Sequence, residues 1–161
     1  VRIRRLEPAD IPWVAKIVAD HFGSARVVSR GRLHISTELP GLVAEDETGR
    51  IGLIQWRAVG DAWEIVILIS LKRRHQVATR LIRAAEGLAA NASCRRLWLI
   101  TTNNNHPAIE FYKSAGWEQI AVHKGAVAAA RNLKPEIPLR DEQGVPIEDE
   151  IEFERVLTRQ G

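Results

Sequence analysis

Between Ala62 and Thr102 the hydrophobic pattern changes period twice, and that pair of switches restricts the chain to one kind of layering. Ala62–Ser70 carries WEIVILIS, a run dense in β-branched residues that suits a central strand. From Val77 onward, Val77, Leu81, Ala84, Ala85 and Leu88 share one helical face, with Thr79, Arg80, Arg83 and Glu86 on the other. This spacing predicts a helix of about four turns ending near Asn91. Arg96–Thr102 returns to a buried strand. A strand, a helix and a strand in that order build an α/β domain with helices layered on a sheet.

The flanking sequence extends the same plan. Val1–Leu6 alternates as a first strand, and Pro8–His21 places Ile11, Val14, Ala15 and Val18 at helical spacing before a Gly23 stop. Ser24–Pro40 has no clean period and reads as a loop with a short helix, its arginines and His34 lining a substrate entrance. Gly41–Glu45 and Ile51–Ala58 flank the turn-rich DETGR, a hairpin signal, and Val59, Gly60 and Asp61 make the next turn. Pro107–Ala115 is a further helix, Glu118–His123 a strand and Asp149–Leu157 a final strand. The intervening stretch 124–148 predicts one short helix and a Pro-rich loop. The sheet is mixed. With no repeat, low-complexity tract or linker, residues 1–161 read as one domain.

Composition excludes several function classes. Hydrophobic residues at 45% with charged residues at 27% describe an ordinary soluble protein. No apolar run reaches the roughly 20 residues that cross a bilayer, so no membrane partner is expected. The opening VRIRRLEPAD lacks the apolar stretch of a secretion signal, which makes the cytoplasm the expected location. Cys94 is the lone cysteine and reads as a half-buried structural thiol. The five histidines never fall into HxxxH or HExxH spacing, so no metal is expected. A net charge of +3 without interleaved surface aromatics argues against a nucleic-acid partner.

Two segments carry chemistry. The junction SLKRRHQVATRL runs from strand into helix, where unpaired backbone N–H groups and the positive end of the dipole attract phosphate. Lys72, Arg73, Arg74 and Arg80 add positive charge there. After the next strand, LWLITT, comes NHPAIEFYKSAGW, Asn105 to Trp117, which holds the chain's only tyrosine, Tyr112.

Together these segments resemble the core of the GNAT (Gcn5-related) acyltransferase family, over roughly Glu64 to Val122. The family carries Arg/Gln-x-x-Gly-x-Gly/Ala at the basic turn; Arg73 and Ala78 match its ends, whereas Gln76 replaces the middle glycine and Arg74 replaces another glycine often seen there. If position 76 is left-handed, Gln costs about 1–2 kcal/mol relative to glycine. The C-terminal segment from His123 onward resembles one bacterial GNAT subgroup of unassigned substrate, in which the insert before the last strand helps close the acceptor site.

The resemblance implies a mainly antiparallel mixed sheet flanked by helices, and acetyl-CoA as acyl donor to an unidentified amine acceptor. Ile69, Ser70, Leu71, Arg73, Arg74, His75, Gln76, Val77, Ala78, Thr79, Arg80 and Asn105 would contact the donor, with backbone N–H groups near Ile69, Ser70 and Leu71 facing the thioester carbonyl. Glu64, the only acidic residue of the central strand, would be the base, directly or through water, and Tyr112 the acid for the leaving sulfur. Arg30, His34 and His123 would contact the acceptor. Many family members are dimers, so the resemblance leaves a homodimer open, and the sequence does not fix the oligomeric state. The departures at Arg74 and Gln76 keep a second reading open, a non-catalytic ligand-binding or interaction domain with a degenerated loop.

Overall fold

In the computed structural model, which describes residues 1–72 and 76–157, the first helix is fixed by a buried carboxylate. Strand β1 (Arg2–Arg5) leads through a 3₁₀ turn at Pro8–Asp10 into helix α1 (Ile11–Phe22). Asp10 is 1% exposed and accepts from Arg4 Nη1 and Nη2 at 2.8 and 2.9 Å, from Arg50 Nε at 2.8 Å and from the Glu7 amide at 2.8 Å. Two cations and a backbone donor hold its pKa far below the usual carboxylate range, the Arg4 bond contributing most. α1 buries Val14, Ile17 and Val18 and ends at Gly23, whose φ of 84° supplies the left-handed cap.

The stretch 24–40, expected as a loop, is a second small sheet. Strands β2 (Arg26–Ser29) and β3 (Arg32–Ile35) pair antiparallel from Arg26↔Ile35 to Ser29↔Arg32. Arg30 and Gly31 both take positive φ, 46° and 73°, which is the backbone a tight two-residue hairpin needs. The only helical turn in this stretch is a 3₁₀ segment at Ser36–Glu38.

The main sheet follows the expected order of elements: β4 (Gly41–Asp46), β5 (Gly49–Val59), β6 (Ala62–Ser70), helix α2 (Val77–Asn91), β7 (Arg96–Thr102), helix α3 (His106–Ser114), β8 (Glu118–His123), a short α4 (Ala126–Ala130) and β9 (Glu150–Val156). Its seven strands lie in the order β1-β4-β5-β6-β7-β9-β8, antiparallel except for β6 against β7. The WEIVILIS strand is the middle one. A helix crossover joins the parallel pair, as strand direction requires.

Apolar side chains pack on both faces. Leu81, Ile82 and Ala85 of α2 meet Ile54, Ile65 and Leu97 on one face; Val14, Ile17 and Val18 of α1 meet Val43, Leu53, Ile67 and Ile69 on the other. Ile65 and Ile67 therefore point to opposite faces although they are two residues apart. The cause is a bulge: Gln55 pairs with Ile67 and Trp56 with Ile65, which leaves Val66 without an opposite number. Gly52 lets α2 sit close to the sheet, since a Cβ there would lie 2.6 Å from Val77 Cγ1. Cys94 is buried, more fully than expected, with Sγ 3.2 and 3.1 Å from the Asp61 and Arg96 carbonyls.

Asp10→Ala should destabilise the protein by about 3 kcal/mol in urea unfolding, because it leaves Arg4 and Arg50 without their shared anion. A change below 0.5 kcal/mol, within the ordinary range of a surface substitution, would show that the clamp is unimportant.

Candidate active site

Strands β6 and β7 pair for only four residues. Their parallel register runs from Ala62↔Arg96 to Ile65↔Leu99 and stops, while β7 goes on pairing with β9 as far as Thr102↔Glu150. Beyond Ile65 the two strands part and leave a gap in the middle of the sheet. A cavity of about 260 Å³ opens there, walled by Val66 and Leu68 on one side, Leu99 to Thr102 on the other, and Asn105, Ala108 and Tyr112 from α3.

Backbone direction along β6 decides which amides face this gap. The Leu71 amide donates to Ile51 O at 2.8 Å, and antiparallel alternation gives Ile69, opposite Leu53, the same orientation toward β5. The amides of Leu68 and Ser70 point the other way, into the gap, where no strand lies opposite. Of the three residues expected to supply amides, only Ser70 has its N–H on this side; Leu68 supplies the other donor. Ile69 is buried in the α1-side core, and Leu71 is exposed.

Helix α2 begins beside the end of β6. Its first amides are unpaired within the helix, and the Arg80 amide makes the first turn's bond to Gln76 O at 3.0 Å. Val77 is buried, Ala78 and Thr79 are half-buried, and Arg80 is exposed. Gln76 adopts φ 50° and ψ 36°, so the left-handed case is the one this chain has. Lys72, expected to serve an anion, instead donates to Asp46 Oδ2 at 2.7 Å and Thr48 Oγ1 at 2.9 Å in the β4–β5 turn. Arg73, Arg74 and His75 lie outside the described residues.

Asn105 caps α3, its Oδ1 accepting from the Ala108 amide at 3.3 Å, and this aims the helix at the cavity. Tyr112 lies one face further along, 8% exposed, packed between Phe111, Trp117 and Phe153. Burial raises its pKa and keeps the phenol protonated.

Glu64 sits at the base of the gap, 2% exposed. Ser29 Oγ donates to Glu64 Oε2, and His34 Nε2 lies 2.8 Å from the same Ser29 oxygen. With the hydroxyl proton directed at Glu64, the imidazole presents Nε2–H to Ser29. Glu64 Oε1 is 3.7 Å from His34 Nε2 and 3.8 Å from Arg57 Nε. Burial raises the Glu64 pKa, and the Ser29 bond and Arg57 only partly counter it. Burial lowers that of His34 to about 4, helped by Arg57 and Arg32.

The hairpin residues expected to contact the acceptor have other roles. His34 is buried behind Ser29, and Arg30 donates from Nη1 to Glu150 Oε1 at 3.2 Å. His123 is bound to Glu152 at 2.8 Å on the outer strands and does not line the cavity. Ser29, Glu150 and Lys134 do line it, and sequence reasoning missed all three. For Ser29 the available signal was the Arg-Gly pair of the hairpin turn. Among the described residues no cluster of His, Cys, Asp and Glu could hold a metal, and no helix is long and apolar enough to cross a membrane.

Two outcomes follow from this geometry. Gln76→Gly removes a left-handed side chain and should raise unfolding free energy by about 0.5–1.5 kcal/mol, after allowing for the added freedom of the unfolded chain. Loss of stability would mean that the Gln76 side chain holds the turn. For His34, the unfolded state takes up a proton between pH 6.5 and 4 and the folded state does not, so stability falls as pH drops through that window. His34→Gln should remove this part of the acid sensitivity, read as a shallower slope of Tm against pH.

Comparison with known proteins agrees with this architecture. The chain matches the acetyltransferase (GNAT) family over residues 10–117. It is 39% identical over 140 residues to the uncharacterized protein YdhI of Bacillus subtilis (strain 168), covering 86% of this chain and 88% of that one. An IAA acetyltransferase from Bacillus cereus superposes with a TM-score of 0.73 at 18% identity, covering 97% and 99% of the two chains. A Bacillus subtilis acetyltransferase in complex with CoA gives 0.69 at 14% identity, with 98% and 99% covered. Parted central strands, a helix that starts beside the gap and a family match across both make this chain a member of the acetyltransferase (GNAT) family.

Proposed function

We propose that residues 1–161 act as one acyltransferase domain that moves an acetyl group from acetyl-CoA to a primary amine by direct transfer. The observation that carries this reading is the gap itself. It presents the Leu68 amide, a buried carboxylate and a buried phenol in one cavity, with the Ser70 amide on the same edge of β6. A related fold holds CoA, and the present residues fit that ligand: the α2 N-terminus suits its pyrophosphate, and the gap between β6 and β7 suits an extended arm that completes the broken sheet.

The roles divide by chemistry. The Leu68 and Ser70 amides stabilise the negative charge that develops on the acyl oxygen. Glu64 takes the proton from the amine, with Ser29 as the donor that keeps the carboxylate oriented and partly ionised. Burial brings the Glu64 pKa closer to neutral pH, where a base is most effective. Tyr112, held protonated by burial, supplies the proton to the departing sulfur. Asn105 fixes the start of α3 and so the position of Tyr112.

Titration with acetyl-CoA followed by a thiol-release assay tests the proposal. Tyr112→Phe should lower kcat about 100-fold with acetyl-CoA affinity nearly unchanged. Glu64→Gln should lower kcat/KM by a similar factor and abolish the fall in rate at acid pH, which reports protonation of the base. Ser29→Ala should move that acid limb to higher pH, because the carboxylate loses the donor that favours its charged form. If acetyl-CoA does not bind even at millimolar concentration, the left-handed Gln76 turn supports the non-catalytic binding domain instead.

A further inference from the structure

The far side of the cavity, away from α3, is built by segments that the cofactor does not need. Phe22 closes it from the end of α1, Val27 and Val28 from β2, and Val127, Ala130 and Ile137 from the insert before β9. These pieces are latched together. Lys134 is 5% exposed and donates from Nζ to Phe22 O at 2.6 Å and Arg26 O at 2.7 Å, so the insert is tied across α1 and the hairpin. The hairpin is tied in turn to β9, since the Arg30 amide lies 3.3 Å from both oxygens of Glu150 and Arg30 Nη1 lies 3.2 Å from Oε1.

Charge inside this chamber is one-sided. Three ionisable side chains with a formal charge at neutral pH line it: Glu64, Glu150 and Lys134. The Lys134 amine is spent on two carbonyls. Both carboxylates belong to the same end of the chamber, since adjacent hairpin residues hold them: Ser29 donates to Glu64 and Arg30 donates to Glu150. Apart from Lys134, the wall away from α3 is apolar. A cationic group entering the chamber finds anions at one end only, Glu64 and the Arg30-paired Glu150.

Resting on the acyltransferase reading, we propose that the acceptor is a compact primary amine with a single positive charge and an apolar body. Its nitrogen lies between Glu64 and Glu150, and its body lies against the Val27, Val127 and Ala130 wall. Size sets the first limit. A cavity near 150 Å³ already admits benzene, so about 260 Å³, shared with the acyl end of the donor, takes no more than one ring on a short aminoalkyl chain. Charge sets the second limit. A polyamine would bury a second ammonium against apolar walls, at a cost of several kcal/mol. A peptide N-terminus would bring amide groups there without partners.

The experiment compares benzylamine, phenethylamine, spermidine and a tetrapeptide with a free N-terminus as acceptors for the full chain with acetyl-CoA. Either arylalkylamine should show kcat/KM about 100-fold above spermidine and the peptide, the discrimination that an unpaired buried charge produces. Ala130→Leu should reduce kcat/KM for phenethylamine at least about tenfold by filling the chamber, with acetyl-CoA affinity and Tm preserved. Glu150→Gln should raise the amine KM about tenfold with a smaller change in kcat, a split that a merely structural loss would not give. Faster acetylation of spermidine or the peptide overturns the inference. Titration of phenethylamine into the protein without acetyl-CoA reads the chamber separately: saturable heat that Ala130→Leu abolishes supports it even if transfer fails, and absence of heat together with absence of turnover overturns it.

Discussion

Everything at the centre of this protein depends on two parallel strands that stop pairing after four residues. A sheet interior normally satisfies every backbone donor through its neighbours. Here β6 keeps β5 throughout and β7 keeps β9, so the sheet stays whole at its edges while it parts in the middle. The unsatisfied donors on the inner edge of β6 are thereby kept rigid. The strands hold them in place before any ligand arrives, which is the condition under which hydrogen bonds are most useful in catalysis.

The bulge at Val66 is the second half of the same device. Strand β6 carries Glu64 below the bulge and the free amides above it, and the extra residue sets their relative orientation. Without it, Ile65 and Ile67 would compete for one face and one of the two cores would lose an anchor. Burying Glu64 and Glu150 in a largely apolar enclosure is costly, and the hairpin offsets part of that cost with Ser29 and Arg30. The hairpin thus acts as the polar partner of the two carboxylates that the main sheet carries into the site.

Periodicity made most of the framework legible. α2, α3 and the strands around them were readable because their apolar faces recur at 3.6 or alternate, whereas Asn105 and Tyr112 were singled out by resemblance to the GNAT core. The hairpin was not, since RVVS and RLHI are short, carry arginines at their ends and turn on Arg-Gly rather than on a strong turn pair. Which β6 amides are free was also hidden, because it depends on the parity of one residue in the register. Lys72 misled for a related reason: its sequence neighbours are basic, but its partner, Asp46, arrives from another strand. Glu150 and Lys134 lie far along the chain and reach the site only through β9 and the insert.

Lys134 places a primary amine of the protein's own inside a chamber proposed for acylating amines. Nothing about distance alone would spare it from modification. Its restraint is positional: the nitrogen is held at the carbonyls of Phe22 and Arg26, and carrying it elsewhere in the cavity would break both bonds. Each abandoned carbonyl would be left without its donor, and the insert would come loose from α1 and the hairpin. The latch that closes the chamber thereby also restrains the lysine that lines it.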